Sequence, residues 1–168
     1  MLWLRLLWLK FQAESDSPER KKAIKKLANS GDARALGTLV KVALTDESTS
    51  NRKMAIQGLK NIHDPKAGRF LAAALRHESL RENASTALLE MTGWAMEPLI
   101  ELLRDDDPGT RQAAVQTLVG LGPIVASSLQ LVVQDGSAVA RQAADQALRQ
   151  LNTPEDQTSD PAIGAETE

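Results

Sequence analysis

One pattern constrains this chain more than any other: an arginine, an alanine three residues on and a leucine four further recur five times. The matches are Arg20/Ala23/Leu27, Arg52/Ala55/Leu59, Arg81/Ala84/Leu88, Arg111/Ala114/Leu118 and Arg141/Ala144/Leu148. Successive alanines lie 32, 29, 30 and 30 residues apart. A near-constant period of this size means stacked supersecondary units, none of which buries its apolar face alone. Ile62, Met91, Leu121 and Leu151 extend the stripe by three residues, while Ser30 takes that place in the first unit. Positions i, i+4 and i+7 share one face of a helix, here called helix A. The small alanine suits a close crossing of neighbouring helices. The arginine opens each helix A, where it can bond the preceding loop's carbonyls or carboxylates as a stacked ladder, or hold an anion or a partner.

A break follows each helix A: Ser30-Gly31-Asp32, His63-Asp64-Pro65, Thr92-Gly93 and Gly120-Leu121-Gly122-Pro123. Glycine suits the left-handed residue that closes a helix. Asp32 and Asp64 suit the N-cap of the next helix, and Pro65 and Pro123 its first turn. That second helix, B, reads Ala35 to Leu39, Ala67 to Leu71, Ala95 to Leu99 and Val125 to Leu129, with Leu44, Leu75, Leu103 and Val133 closing its apolar face. Pro98 is expected in the first turn of its helix, where proline costs little. Polar turns end each unit.

The run from Ala95 to Leu118, with Glu97-Pro98-Leu99-Ile100, Asp105-Asp106-Asp107-Pro108 and Arg111-Gln112-Ala113-Ala114, resembles short HEAT repeats of about 30 residues, of the bilin-lyase-like kind. The resemblance covers residues 18–152 and implies an all-α fold: an α-solenoid of about five antiparallel helix pairs in a right-handed stack, with helix A convex and helix B concave. It also implies a non-catalytic scaffold or adaptor that binds another protein through the concave surface. On this chain that surface maps to Lys41, Arg69, Glu97, Glu101 and Leu131, with Trp94 at the start of the third helix B. A tryptophan where Arg34 and Lys66 stand in the first two units is a candidate hot spot; the alternative is that it packs over a helix end. The enzyme alternative within the resemblance is a bilin-lyase-like subunit.

Composition limits the remaining functions. With no cysteine there is no disulfide, thiol chemistry or thiolate metal site, and a reducing, cytoplasmic setting is expected. No nucleophile elbow, phosphate loop or dinucleotide fingerprint is present. Only two histidines occur, His63 and His77, both placed in turns facing solvent. His77-Glu78 is a single His-Glu pair, whereas the metal-dependent hydroxylase branch of the same family uses several, so no metal and no other cofactor is expected. Asp105, Asp106 and Asp107 lack the loop pattern of a calcium hand and read as an exposed turn. Glu97 and Glu101 share a helix face but show no second shell for acid–base chemistry.

Charge is split along the chain. Residues 1–80 hold 15 Lys and Arg against 8 Asp and Glu, and residues 81–168 hold 5 against 14, a net +7 followed by −9. Such a dipole can steer a polarised partner or favour head-to-tail self-association. Along helix B the track runs from Lys41 and Arg69 to Glu97 and Glu101, so a nucleic-acid backbone would be repelled over half its length.

Residues 1–13 form an apolar helix carrying Trp3, Trp8 and Phe11, three of the five aromatics. It is too short to span a bilayer, and no small-residue cleavage site follows, so a signal peptide is not expected. It either caps the first unit or anchors the protein to a partner or a membrane surface, where Arg20, Lys21, Lys22, Lys25 and Lys26 would attract anionic lipid. Residues 153–168 are polar and acidic with little to bury, and are expected to be a disordered tail.

Overall fold

The computed structural model describes residues 2–14 and 19–152. Among them are ten α-helices and no strand: α1 (Leu2–Glu14), α2 (Arg20–Ala28), α3 (Leu36–Thr45), α4 (Thr49–Leu59), α5 (Pro65–Ala74), α6 (Arg81–Glu90), α7 (Thr92–Leu102), α8 (Pro108–Gly120), α9 (Ala126–Asp135) and α10 (Ala138–Asn152). The helices pack as successive hairpins, α1 on α2, α3 on α4, α5 on α6, α7 on α8 and α9 on α10. The chain is therefore an all-α solenoid of five antiparallel pairs. Each pair takes the B-type helix first, and α1 is the first helix of the first pair. The acidic tail at 153–168 lies outside the described residues.

The repeated positions form the core. Ala23, Ala55, Ala84, Ala114 and Ala144 are buried, as are Leu27, Leu59, Leu88 and Leu118. From the other row come Ala35, Ala67, Ala95 and Val125 with Leu39, Leu71, Leu99 and Leu129. Each buried leucine contributes roughly 1.5–3 kcal/mol, so stability accumulates unit by unit through the interfaces.

Aspartates and left-handed glycines set the helix boundaries. Asp32, Asp64 and Asp107 cap helix starts, accepting from the backbone N–H of Arg34, Lys66 and Thr110 at 2.9, 2.8 and 2.7 Å. Gly31 (φ 62°) and Gly122 (φ 78°) supply the two left-handed residues.

Three local expectations are corrected. Met91, at φ −106° and ψ 35°, breaks the chain between α6 and α7, and Gly93 lies within the first turn of α7 without positive φ. Pro98 is interior to α7 because that helix starts at Thr92, three residues before the apolar stripe begins. Leu44 is exposed: it lies five positions after Leu39, about 140° around the helix, whereas Leu75, Leu103 and Val133 lie four after theirs. Ala43 takes the equivalent buried place in α3.

Pro98 has a packing consequence. It has no N–H to give to the Trp94 carbonyl, its partner in a regular helix. Gly68 of α5 packs directly against that carbonyl, so closely that a Cβ there would overlap it. The α5–α7 crossing is thus a backbone-to-backbone contact that only glycine permits.

Candidate interaction surfaces

The repeated arginines hold the scaffold together. Arg52, Arg81 and Arg111 each donate to the carbonyl six residues earlier: Nη1 to Asp46 at 2.9 Å, Nε to Leu75 at 2.9 Å and Nη1 to Asp105 at 2.7 Å. Arg20 and Arg81 also reach the next pair, Arg20 Nε to Asp46 Oδ2 at 2.9 Å and Arg81 Nη2 to Asp107 Oδ2 at 3.1 Å. This is the stacked ladder in the first four units; Arg141 is exposed and makes no such bond among the described residues.

Asp46 is the most buried acid in that ladder, at 5% exposure. Burial alone would raise its pKa. The backbone N–H of Ser48 at 2.9 Å, Arg20 and the Asn51 amide at 3.1 Å outweigh that and hold the carboxyl below its ordinary value. Asp32 is held at about 2, first by the guanidinium of Arg34 (Nη2 at 2.6 Å) and then by its backbone N–H. Asp107 is lowered chiefly by the Thr110 hydroxyl and N–H, both at 2.7 Å.

The acidic turn is accordingly structural. Asp105 accepts from Arg76 Nε at 2.7 Å and from the Asp107 N–H at 3.0 Å, while Asp107 caps α8. His63 and His77 are exposed. Among the described residues no three His, Asp or Glu side chains gather to hold a metal ion, and no single helix is long and apolar enough to cross a membrane.

The mapped partner-binding residues fall on one row of helices, α3, α5, α7 and α9. Lys41, Arg69, Glu97, Glu101 and Leu131 are all exposed, Leu131 at 61%. Arg69 Nη2 lies 3.9 Å from Glu97 Oε2 across the α5–α7 crossing, where both side chains remain in water. A pair this exposed contributes little to stability, so the two charges stay available to a partner. Trp94 is 42% exposed in the first turn of α7, directly over the Gly68 contact that fixes its backbone. Trp8 and Phe11 are exposed on α1, at 53% and 71%. Trp3 belongs to the same helix, but its side chain is outside the described residues.

In the row α2, α4, α6, α8 and α10, every helix packs on the next. In the other row only α1 with α3 and α5 with α7 pack comparably. The Lys41-to-Leu131 track lies along this second row. In the first row, α6, α8 and α10 are joined by polar side-chain contacts that the motif reading missed. There the Ser85 and Thr117 hydroxyls lie 2.9 Å apart, and the Gln146 amide donates to Gln112 at 3.1 Å.

Ten helices in stacked antiparallel pairs, tied by an arginine ladder, define an α-solenoid repeat protein. Profiles of the HEAT repeats match residues 6–92, and of a HEAT repeat residues 95–125; the chain belongs to the HEAT-repeat family. The match is to the repeat itself and does not extend to the bilin-lyase kind. No curated protein matches the chain.

Proposed function

We propose that the chain is a non-catalytic scaffold that binds a protein partner through the exposed track of α3, α5, α7 and α9. The carrying observation is the graded charge of that track. Lys41 and Arg69 lead into Glu97 and Glu101, all exposed on rigid helices, beside a half-exposed tryptophan whose backbone is locked in place. A rigid aromatic flanked by charges of both signs fits a partner surface of opposite gradient, with Trp94 as anchor and the charges setting orientation and encounter rate. HEAT repeats commonly serve as interaction scaffolds, which supports the same reading.

The test compares the wild-type chain with a Glu97→Lys/Glu101→Lys variant as bait in native lysate. A stoichiometric protein retained by wild type and lost by the variant is the expected result. Identical capture by both baits would remove the track from the binding surface. For Trp94→Ala, partner affinity is expected to fall by roughly 2 kcal/mol or more, the hot-spot range. Its melting temperature should shift by only a few degrees, since the ring is 42% exposed. A large drop in melting temperature would assign Trp94 to the core instead.

A further inference from the structure

The first helix pair carries chemistry that a protein-binding track on α3 to α9 does not use. Between α1 and α2 lies an open groove of about 540 Å³, floored by Leu6 and Leu9 and rimmed by Lys22, Lys25, Lys26 and Arg34. The three lysines occupy i, i+3 and i+4 on α2, on the side away from the buried Ala23, Ile24 and Leu27. Arg34 is committed to Asp32, and Lys22 lies 3.2 Å from Glu19 in an exposed pair. Lys25 and Lys26 make no ion pair among the described residues.

The partner helix supplies the apolar half. On α1, Leu6, Leu9 and Ala13 face the core, and Leu7, Trp8 and Phe11 form the opposite stripe at 49%, 53% and 71% exposure. A stripe of leucine, tryptophan and phenylalanine beside a lysine face combines the two attractions of an anionic bilayer surface. Apolar and aromatic side chains enter the headgroup–acyl boundary, and lysines neutralise the phosphates. An acidic protein surface would satisfy the lysines but leave the aromatics without a counterpart.

We propose that this first pair is a docking face for an anionic lipid bilayer. Leu7, Trp8 and Phe11 of α1 insert at the interface, and Lys22, Lys25 and Lys26 of the adjoining α2 hold phosphate headgroups. This docking is independent of the protein-binding track.

The experiment is flotation of the full chain with phosphatidylcholine vesicles, with and without phosphatidylglycerol. Binding is expected only with the anionic lipid, weakening as salt rises. The Lys22→Glu/Lys25→Glu/Lys26→Glu variant should lose about a hundredfold in affinity or more. All three side chains are exposed, so its helical circular dichroism should match wild type. Phe11→Asp, also at an exposed site, should weaken binding without moving the salt dependence. A Trp3→Phe/Trp94→Phe variant isolates Trp8, whose emission should shift to the blue on anionic vesicles. The proposal is overturned if the chain stays in solution with both vesicle types, or if binding ignores the lysines. Unchanged Trp8 emission on floated protein would also overturn it. So would a concentration-dependent dimer that Phe11→Asp abolishes in the absence of vesicle binding, which would make the stripe a contact between copies.

Discussion

Replacing Gly68 by alanine is expected to destabilise the solenoid by about 2 kcal/mol, although alanine is the better helix former by about 1 kcal/mol. The reason is the overlap of the new Cβ with the backbone carbonyl of Trp94, an atom that cannot rotate away as a side chain would. Relief requires α5 and α7 to separate, which opens the best-packed crossing in the row α1, α3, α5, α7 and α9. Gly37 gives the contrast. It also lies in a helix, but a Cβ there meets nothing within 4 Å. Gly37→Ala should therefore raise stability by up to about 1 kcal/mol, because only the propensity and unfolded-chain terms remain. Urea denaturation of the two variants measures the difference. Two alanine variants that shift stability in the same direction would refute the close crossing. Since the contact fixes the Trp94 backbone, Gly68→Ala should also weaken partner binding, a second readout that Gly37→Ala leaves untouched.

Asp46→Ala is expected to cost about 3 kcal/mol near neutral pH. Removing the carboxylate strands the Arg20 guanidinium, the Asn51 amide and the Ser48 N–H, all of which it now satisfies. The loss should depend on pH with a definite sign. The folded-state pKa of Asp46 is depressed, so its stabilisation is fully present above the unfolded value of about 3.9 and is lost as pH falls through the lower folded value. Asp32 and Asp107 shift the same way. Wild-type stability should thus decline below about pH 4, and the gap between wild type and Asp46→Ala should narrow there. Denaturation curves at neutral and acidic pH check this. A gap of equal size at both would mean that the cost is lost packing rather than lost charge.

The sequence carried the architecture because a solenoid repeats its instructions. Ala, Leu and one further apolar residue at helical spacing, five times over, left few alternatives, and the Asp and Pro signals at Asp32, Asp64 and Pro65 marked real helix starts. Where the signals were ambiguous, tertiary packing decided. Thr92-Gly93 read as a helix closure, yet Met91 makes the break, because α7 begins early enough for Trp94 to meet Gly68. Leu44 matched the apolar register by residue type but missed it by one position. The candidate track was legible residue by residue, since exposed positions two places from a buried leucine follow from helix geometry alone. Which helices pack closely within a row was not legible, because that depends on contacts between helices about 30 residues apart in the chain. The groove of the first pair was hidden for a similar reason: Leu6 and Lys25 become neighbours only when α1 folds onto α2.

The uneven packing of the two rows also bears on how the molecule responds to load. The row from α2 to α10 packs at every step, while among the described helices the other row packs closely only between α1 and α3 and between α5 and α7. The joint after the second hairpin is the least packed, shared mainly between α4 and α6, so bending under load concentrates there and the array flexes as two blocks about it.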